Sequence, residues 1–307
     1  MLGVVLGFGI AIAFGINAVV ARRGVLLAGS NYIATISIFT GPPFFLLVTF
    51  VTGEIYPLYQ FPWKAQVLLA LSGVIHLALG RTWAYKSIQL IGATRSTVIT
   101  GLNPIVSIVL AIIILRESIN SLMFLGILFS LTGPLLTILK EQTVESSRRL
   151  KAGSNGKELD RHTLYIGILY GLGGAVFWGS SAIFIKLGLE NGGSPVAGTL
   201  VAYLAASIVI TPSILLSREN KREILDTNRR SFRLALFSGL TTNIAQLLRY
   251  LALNYSSVII VTLLMRTTPL WVLLFSFIFN RRYESFSRWV LLGNFLLIVG
   301  TVLILIS

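Results

Sequence analysis

Ten segments of about twenty apolar residues follow one another along this 307-residue chain. A helix needs about 20 apolar residues to cross the hydrocarbon core of a bilayer, and each segment approaches or exceeds that length. The segments are continuously apolar rather than alternating, which favours helices over the strands of a membrane barrel. We therefore predict an all-α polytopic membrane protein with ten transmembrane helices. They cover residues 2–21, 32–52, 64–85, 93–115, 121–139, 163–187, 196–216, 232–253, 257–279 and 288–306.

Composition excludes the common soluble classes. Only 12% of the residues are charged and 55% are hydrophobic, whereas a soluble domain has about 25% charged residues. The chain has no cysteine, which excludes disulfides, thiolate nucleophiles and cysteine-ligated metals. It also lacks the H-E-x-x-H and G-x-S-x-G patterns of metal-dependent and serine hydrolases. We expect neither an enzyme nor a cofactor or metal site.

The net charge of +14 comes from basic residues in the short loops between apolar segments. Loop lysines and arginines orient membrane proteins and meet anionic lipid headgroups. This placement predicts membrane lipids and a small-molecule substrate as partners, and no nucleic acid. The oligomeric state stays open between a monomer and a homodimer.

The chain contains two copies of one five-helix unit. The first copy covers residues 1–139 and the second 163–307, with a polar linker at 140–162. One ordered series of small residues recurs at an offset of 164 positions: Gly3, Gly7, Ala11 and Gly15 match Gly167, Gly171, Ala175 and Gly179. At an offset of 165, Tyr85, Thr97 and Pro104 match Tyr250, Thr262 and Pro269.

Because each copy has an odd number of helices, the second copy must enter the membrane in the opposite orientation. Odd-numbered loops hold 19 of the 25 basic residues and even-numbered loops hold four. The positive-inside rule then places the central linker in the cytoplasm and both termini outside. Inverted repeats of this kind are typical of secondary transporters, and we predict a multi-pass protein of the plasma (cell inner) membrane.

Four segments resemble the EamA-like branch of the drug/metabolite transporter superfamily. They are AFGINAVVARRG, VFWGSSAIFIKLGL, AYKSIQLIGATRSTVITGLNPIVSIVLAIIILRE and RYLALNYSSVIIVTLLMRTTPLWVLLFSFIF. The resemblance implies an inverted-repeat fold of ten helices, with a cavity walled by helices 1, 3, 4, 6, 8 and 9. It also implies movement of small metabolites without ATP hydrolysis. Characterised relatives tend to have cytoplasmic termini, so the charge distribution here departs from the family.

Arg266 is the most deeply placed charge, about nine residues into the ninth span. Charged side chains at such depth are costly to insert and often mark substrate paths. Pro269, three residues later, removes a helix hydrogen bond beside this cation. We therefore expect Arg266 to line the substrate path, the alternative being a structural hydrogen-bonding role.

A polar stripe runs along the eighth span. Asn243, Gln246, Arg249 and Tyr250 recur at spacings of three and four and therefore share one helix face. In an apolar span such a face turns toward a cavity or toward polar helix contacts. We predict that Arg266 and the Asn243/Gln246 stripe hold the polar end of the substrate, with Arg249 on the same face as a further candidate for substrate binding.

The remaining candidates are weaker. Arg81 and Arg95 lie near span ends, where snorkelling to the interface also explains them. His76 suits a proton carrier, although a lone helix histidine is more often a packing residue. Asn17 and Trp178, in the first helices of the two copies, are further candidates for substrate contact.

Two positions are expected to break helices. Asn103 and Pro104 in the fourth span mirror the Pro269 region of the ninth. Breaks at Pro104 and Pro269 would absorb the bend as the two halves alternate between conformations.

No aspartate or glutamate falls inside any predicted span. A cavity with arginines and without acids suits a substrate that carries a carboxylate or phosphate. We therefore predict a secondary transporter or exporter of small anionic or zwitterionic metabolites, such as amino acids, organic acids or phosphorylated metabolites. A flippase for an anionic lipid phosphate is the alternative.

Overall fold

The computed structural model describes residues 1–28, 30–55, 60–91, 93–133, 136, 161–216, 228–279 and 288–306. Within these ranges the regular structure is helical and contains no strand, which confirms the all-α prediction. The helices are α1 (Leu2–Ala28), α2 (Ser30–Phe39), α3 (Gly41–Val51), α4 (Trp63–Gly73), a π-helical segment (Val74–Gly80), α5 (Arg81–Ile91), α6 (Ala93–Thr100), α7 (Asn103–Leu115), α8 (Ser121–Gly133), α9 (Arg161–Glu190), α10 (Pro195–Leu216), α11 (Arg229–Tyr255), α12 (Val258–Met265), α13 (Thr268–Phe279) and α14 (Arg288–Leu305).

Seven stretches of the described chain are long and apolar enough to cross a membrane. They are Leu2–Ala21, Tyr32–Val51, Trp63–Ile91, Arg95–Ile114, Arg161–Glu190, Pro195–Pro212 and Val258–Phe275. Two shorter apolar helices, Ser121–Gly133 and Leu291–Leu305, fall within the predicted fifth and tenth spans. Helix α11 has 27 residues but carries many polar side chains. The structure thus supports a multi-pass protein, and the count of ten spans stays a prediction.

Two helix interruptions occur at equivalent positions of the two sequence copies. Helix α6 ends at Thr100 and α7 begins at Asn103, while α12 ends at Met265 and α13 begins at Thr268. Pro104 and Pro269 occupy the second position of the new helix, where a missing N–H leaves no intrahelical bond unmade. The two turns also close with matching bonds, which are Leu102 N–H to Ile99 O at 3.1 Å and Thr267 N–H to Leu264 O at 3.0 Å.

A third interruption, at Thr40, divides the predicted second span. Two consecutive prolines, Pro42 and Pro43, follow it at the start of α3. Neither proline can donate a backbone hydrogen bond to the preceding turn. The sequence analysis treated this span as one uninterrupted helix, and the structure corrects that expectation.

The chain forms two compact units, and each combines parts of both sequence copies. Unit 1 consists of Met1–Ala78 and Ser181–Glu284, and unit 2 of Leu79–Ser180 and Ser285–Ser307. The core of unit 1 includes Ile38, Phe45, Leu77, Leu200 and Tyr203, all almost fully buried.

In unit 1, the small residues of α1 let α12 and α13 approach closely. A methyl group placed on Gly7 would lie 2.6 Å from a methyl carbon of Leu264, and one on Gly15 would lie 2.7 Å from Cβ of Trp271. Both separations are too short for real carbon atoms. The glycine stripe of the first span is therefore a helix-packing face.

Unit 2 repeats this packing with the equivalent residues. A methyl group on Gly171 would lie 2.9 Å from the side chain of Ile99, and one on Gly179 would lie 2.6 Å from Cβ of Val106. Gly171 and Gly179 are the counterparts of Gly7 and Gly15, and Ile99 and Val106 are 165 positions before Leu264 and Trp271. The two sequence copies thus pack their first helices in the same register.

Helices α8 and α14 of unit 2 cross at a reciprocal glycine contact. A methyl group on Gly126 would lie 2.8 Å from the carbonyl oxygen of Gly300, and one on Gly133 would meet the carbonyl oxygen of Gly293. Gly293 and Gly300 are the counterparts of Gly126 and Gly133, so the two contacts exchange equivalent partners. Such an exchange is the signature of a local two-fold axis.

Candidate functional site

The guanidinium of Arg249 is the centre of a buried polar cluster in unit 1. Its side chain projects from α11, and the residue is only 4% exposed. Nη2 donates to Oγ of Ser181 at 2.9 Å, and Nη1 donates to Nδ1 of His76 at 3.3 Å. No carboxylate among the described residues pairs with this guanidinium. The cation is therefore held by neutral partners alone.

His76 lies in the π-helical segment, on the same continuous helical stretch as α4 and α5. Its Nδ1 is 3.0 Å from Oγ of Ser181, and its Nε2 is 3.1 Å from the side-chain amide of Gln246. The imidazole thus connects the π-helical segment to α9 and α11. π-helical turns within α-helices are frequent at functional sites.

A second hydrogen bond of the cluster joins α4 to α11. Oγ of Ser72 donates to the carbonyl oxygen of Leu69 at 2.6 Å, so Tyr250 must donate its hydroxyl proton to Ser72 across 2.7 Å. Together these groups line a cavity of about 10 Å³, enough for about one water molecule. Its lining residues are Ser72, Gly73, His76, Leu77, Ile185, Tyr203, Gln246, Arg249 and Tyr250.

A neighbouring polar cluster in unit 1 surrounds Asn17 of α1. Its Oδ1 accepts hydrogen bonds from Oγ of Ser238 at 2.7 Å and Oγ1 of Thr241 at 3.3 Å. Asn243 is fully buried, and its Nδ2 donates to Oγ1 of Thr40 at 3.3 Å. Its Oδ1 is buried and accepts no hydrogen bond from the described residues.

The two clusters contain one pair of equivalent contacts. Asn17 and Ser181 are 164 positions apart, and His76 and Thr241 are 165 positions apart. The Asn17–Thr241 bond and the Ser181–His76 bond therefore occupy the same place in the two sequence copies. Arg249, in contrast, corresponds to Ala84, so only one of the two places carries a cation.

Arg266 lies outside the cavity around Arg249. It occupies the turn between α12 and α13, where its backbone N–H donates to the carbonyl oxygen of Leu263 at 3.0 Å. The residue is half-buried. Pro269, three residues further, is exposed at the start of α13. Arg266 thus lies beside the helix break before Pro269, as the sequence analysis expected, and does not line the cavity around Arg249.

The other predicted residues belong to unit 2. Arg81 is half-buried at the start of α5, Arg95 is exposed in α6, and Trp178 is half-buried in α9. Asn103 begins α7 and donates to the carbonyl oxygen of Thr100 at 2.9 Å, while Pro104 follows it and is buried. Within unit 1 the structure brings together Gln246, Arg249 and His76.

Five hydrogen-bonding partners in these clusters were missed from the sequence, namely Thr40, Ser72, Ser181, Ser238 and Thr241. Serine and threonine are common in membrane helices, so none of them stands out alone. The internal repeat offered a signal, because Ser181 aligns with the candidate Asn17 and Thr241 with the candidate His76.

Apolar helices of membrane-crossing length, two of them interrupted before prolines, together with a buried polar cluster, define a multi-pass membrane protein. The sequence profile of the EamA-like transporter family matches residues 1–139 and 165–306. The chain belongs to the EamA-like transporter family and is a membrane transporter of the drug/metabolite type.

A solved structure described as "Crystal structure of protein" is similar to this chain, with a TM-score of 0.77 and 12% sequence identity. The similarity covers 99% of this chain and 97% of that chain, and at this identity it supports the fold alone. A comparison with curated protein sequences gave no significant match.

Proposed function

We propose that this protein is a secondary transporter of small anionic or zwitterionic metabolites and that Arg249 binds the anionic group of the substrate. Transport proceeds by alternating access between the two sides of the plasma membrane. The proposal moves the principal contact from Arg266, which the sequence favoured, to Arg249.

The observation that supports this assignment is the environment of the Arg249 guanidinium. A buried charge is costly unless an opposite charge compensates it. Here the hydrogen-bond partners are Ser181 and His76, both able to bond without neutralising the charge. A carboxylate or phosphate would supply the missing charge and form short, charge-assisted bonds with the planar guanidinium.

The described carboxylates are engaged elsewhere or lie at helix ends. Glu54 accepts the backbone N–H of Ala197 at 3.1 Å, and Glu190 lies 3.8 Å from the ammonium of Lys186. Neither glutamate lines the cavity. The charge left at Arg249 therefore favours anions over cations as substrates.

The cavity of about 10 Å³ is too small for any metabolite. Substrate entry requires the helices that carry His76, Ser181 and Arg249 to separate. The breaks before Pro104 and Pro269 are the natural hinges for such a movement, since their backbone already lacks continuous helical bonding.

The proposal predicts that anions stabilise the purified protein through Arg249. We would measure the midpoint of thermal unfolding in detergent with succinate, L-glutamate and glycerol 3-phosphate, and with glycerol as the neutral control. A ligand at 100 times its Kd adds about 2.7 kcal/mol to the free energy of unfolding. Arg249→Gln should lose this stabilisation, because glutamine cannot compensate an anion.

Arg230→Gln is the matched control, because Arg230 is exposed near the start of α11 and should leave the stabilisation unchanged. Loss of stabilisation in Arg266→Gln, with Arg249→Gln unaffected, would move the site to the α12–α13 turn. Stabilisation by a short-chain phosphatidic acid and by none of the soluble anions would favour the flippase instead.

A further inference from the structure

We propose that His76 is the proton-binding site that couples anion binding at Arg249 to proton uptake, making the protein a proton–anion symporter. This inference rests on the proposed anion site and adds the coupling ion to it. It is carried by the hydrogen-bond geometry around the imidazole.

The contact with Arg249 fixes the protonation of Nδ1. Nη1 of Arg249 lies 3.3 Å from Nδ1 of His76, and a guanidinium can only donate. Oγ of Ser181 accepts from Nη2 of Arg249 at 2.9 Å and lies 3.0 Å from the same Nδ1. Because the Arg249 guanidinium donates to Nδ1, this nitrogen must carry a lone pair and no proton.

The other ring nitrogen then bears the single proton of a neutral imidazole. Nε2 lies 3.1 Å from the atom placed as the amide nitrogen of Gln246. Nitrogen and oxygen of an amide are interchangeable in position, and an Nε2–H donor requires the oxygen of Gln246 here. With the amide turned in this way, the neutral Nε2–H tautomer of His76 satisfies the contacts of the imidazole with both Arg249 and Gln246.

A proton on Nδ1 is incompatible with this closed cluster. It would point the N–H of the imidazole at an N–H of Arg249, place two cations about 3 Å apart, and remove the acceptor of Nη1. The remaining ionisable groups that line the cavity, Tyr203 and Tyr250, are phenols and carry no charge near neutral pH. Nothing that lines the cavity can neutralise the second positive charge.

Protonation therefore opens the cluster and creates a paired imidazolium and guanidinium. An anion that binds between them compensates both charges. By linkage, bound anion favours protonated His76 as strongly as protonated His76 favours bound anion. In each cycle Nδ1 takes one proton from water on the side of anion entry and returns it to water on the opposite side, so a monovalent anion crosses without net charge movement.

The internal repeat supplies a control for this role. Thr241 is the counterpart of His76, and its hydroxyl makes the equivalent bond to Asn17 at 3.3 Å. A threonine can hydrogen-bond at this place but cannot bind a proton near neutral pH. His76→Thr therefore copies a side chain that this chain already accommodates at the equivalent position.

The test is ¹⁵N NMR of histidine-labelled full-length protein in lipid nanodiscs. The chain has two histidines, so His162→Gln leaves His76 as the only imidazole signal. At a pH of about 6.5, where a free imidazole is half-protonated, we expect the neutral Nε2–H tautomer without anion. Saturating succinate or glycerol 3-phosphate should raise the ratio of protonated to neutral His76 by about fivefold or more, and glycerol should leave it unchanged.

Two variants separate this proposal from the anion site itself. Arg249→Gln should abolish the anion-induced protonation. His76→Thr should bind the same anions more weakly than the wild type at about pH 5.5, and its affinity should no longer rise from about pH 7.5 to about pH 5.5 around the imidazole midpoint.

Each outcome is decisive. Anions that stabilise the wild type without protonating His76 would overturn the coupling and leave the proposed function standing. An Nδ1–H tautomer in the ligand-free protein would also overturn it. If neither anion stabilises the wild type at either pH, the proposed function fails and the coupling fails with it.

Discussion

Two charged side chains of unit 1 hold helix ends of complementary polarity. Nζ of Lys186 donates to the carbonyl oxygens of Leu253 at 3.0 Å and Ser256 at 3.3 Å, at the C-terminal end of α11. Glu54 accepts from the hydroxyl of Ser194 and from the N–H of Ala197, at the N-terminal end of α10. Cations at helix C-termini and anions at N-termini both interact favourably with the helix dipole.

Lys186→Met should destabilise the protein by about 1 kcal/mol, because the apolar side chain leaves the α11 carbonyls without their charged donor. The thermal unfolding midpoint in detergent measures the effect. Lys186→Arg keeps a charged donor, so its unfolding midpoint should lie between those of the wild type and Lys186→Met. Lys64→Met, at an exposed position, should leave the unfolding midpoint unchanged. Equal midpoints for Lys186→Met and Lys64→Met would show that this cap contributes nothing.

The candidate site was predictable only where local spacing determines it. The i, i+3, i+4 pattern of α11 placed Gln246, Arg249 and Tyr250 on one face, and all three are buried together. Their meeting with His76 and Ser181 depends on how α9, α11 and the π-helical segment pack. A local pattern carries no information on that packing.

At the scale of elements, the π-helical segment is the feature that places His76. A π-turn inserts an extra residue into a helix and shifts the face that follows it. It begins directly after Gly73, where a methyl group would meet the carbonyl oxygen of Ala202 in α10. The close approach of α4 and α10 therefore lies one turn before the imidazole, and Tyr203 of α10 lines the same cavity.

Gly73→Ala should lower the unfolding midpoint by several degrees and weaken anion binding, because the added methyl group must push the α10 backbone away from the cavity. Gly9→Ala is the control. Its methyl group would lie 3.3 Å from the flexible end of Leu248, which can move aside. Wild-type anion affinity in Gly73→Ala would show that the cavity does not depend on this helix contact.

Proline accounts for the helix breaks that the sequence predicted, since its missing N–H is a local property. The interruption at Thr40 and the π-helical segment were not foreseen. The first comes just before two prolines, Pro42 and Pro43, that the sequence analysis did not use. The second has no proline and reflects helix packing rather than a residue type.

At the scale of the whole molecule, the duplication and the apolar segments allowed the fold class to be predicted from the sequence. Only helices and closed β-barrels can span a bilayer, because backbone polar groups must be hydrogen-bonded within it. The orientation in the membrane follows from the distribution of basic residues alone. It is a prediction of the positive-inside rule, which places the central linker in the cytoplasm.

Single cysteines test this orientation directly, since the chain has none of its own. Ser154→Cys, in the linker, should resist an impermeant maleimide in intact cells and react after permeabilisation. Asn191→Cys, exposed in the loop before α10, should react in intact cells because it lies in an even-numbered loop. The reverse pattern would place both termini in the cytoplasm.

The reciprocal contact between α8 and α14 bears on the origin of the chain. Gly126 meets Gly300 and Gly133 meets Gly293, so the two repeats contact each other through equivalent surfaces. Two identical half-length polypeptides inserted in opposite directions would form the same self-complementary contact. A single ancestral half would thus assemble as an antiparallel pair before duplication, and fusion allows the two copies to carry different residues at one place, Arg249 in one and Ala84 in the other.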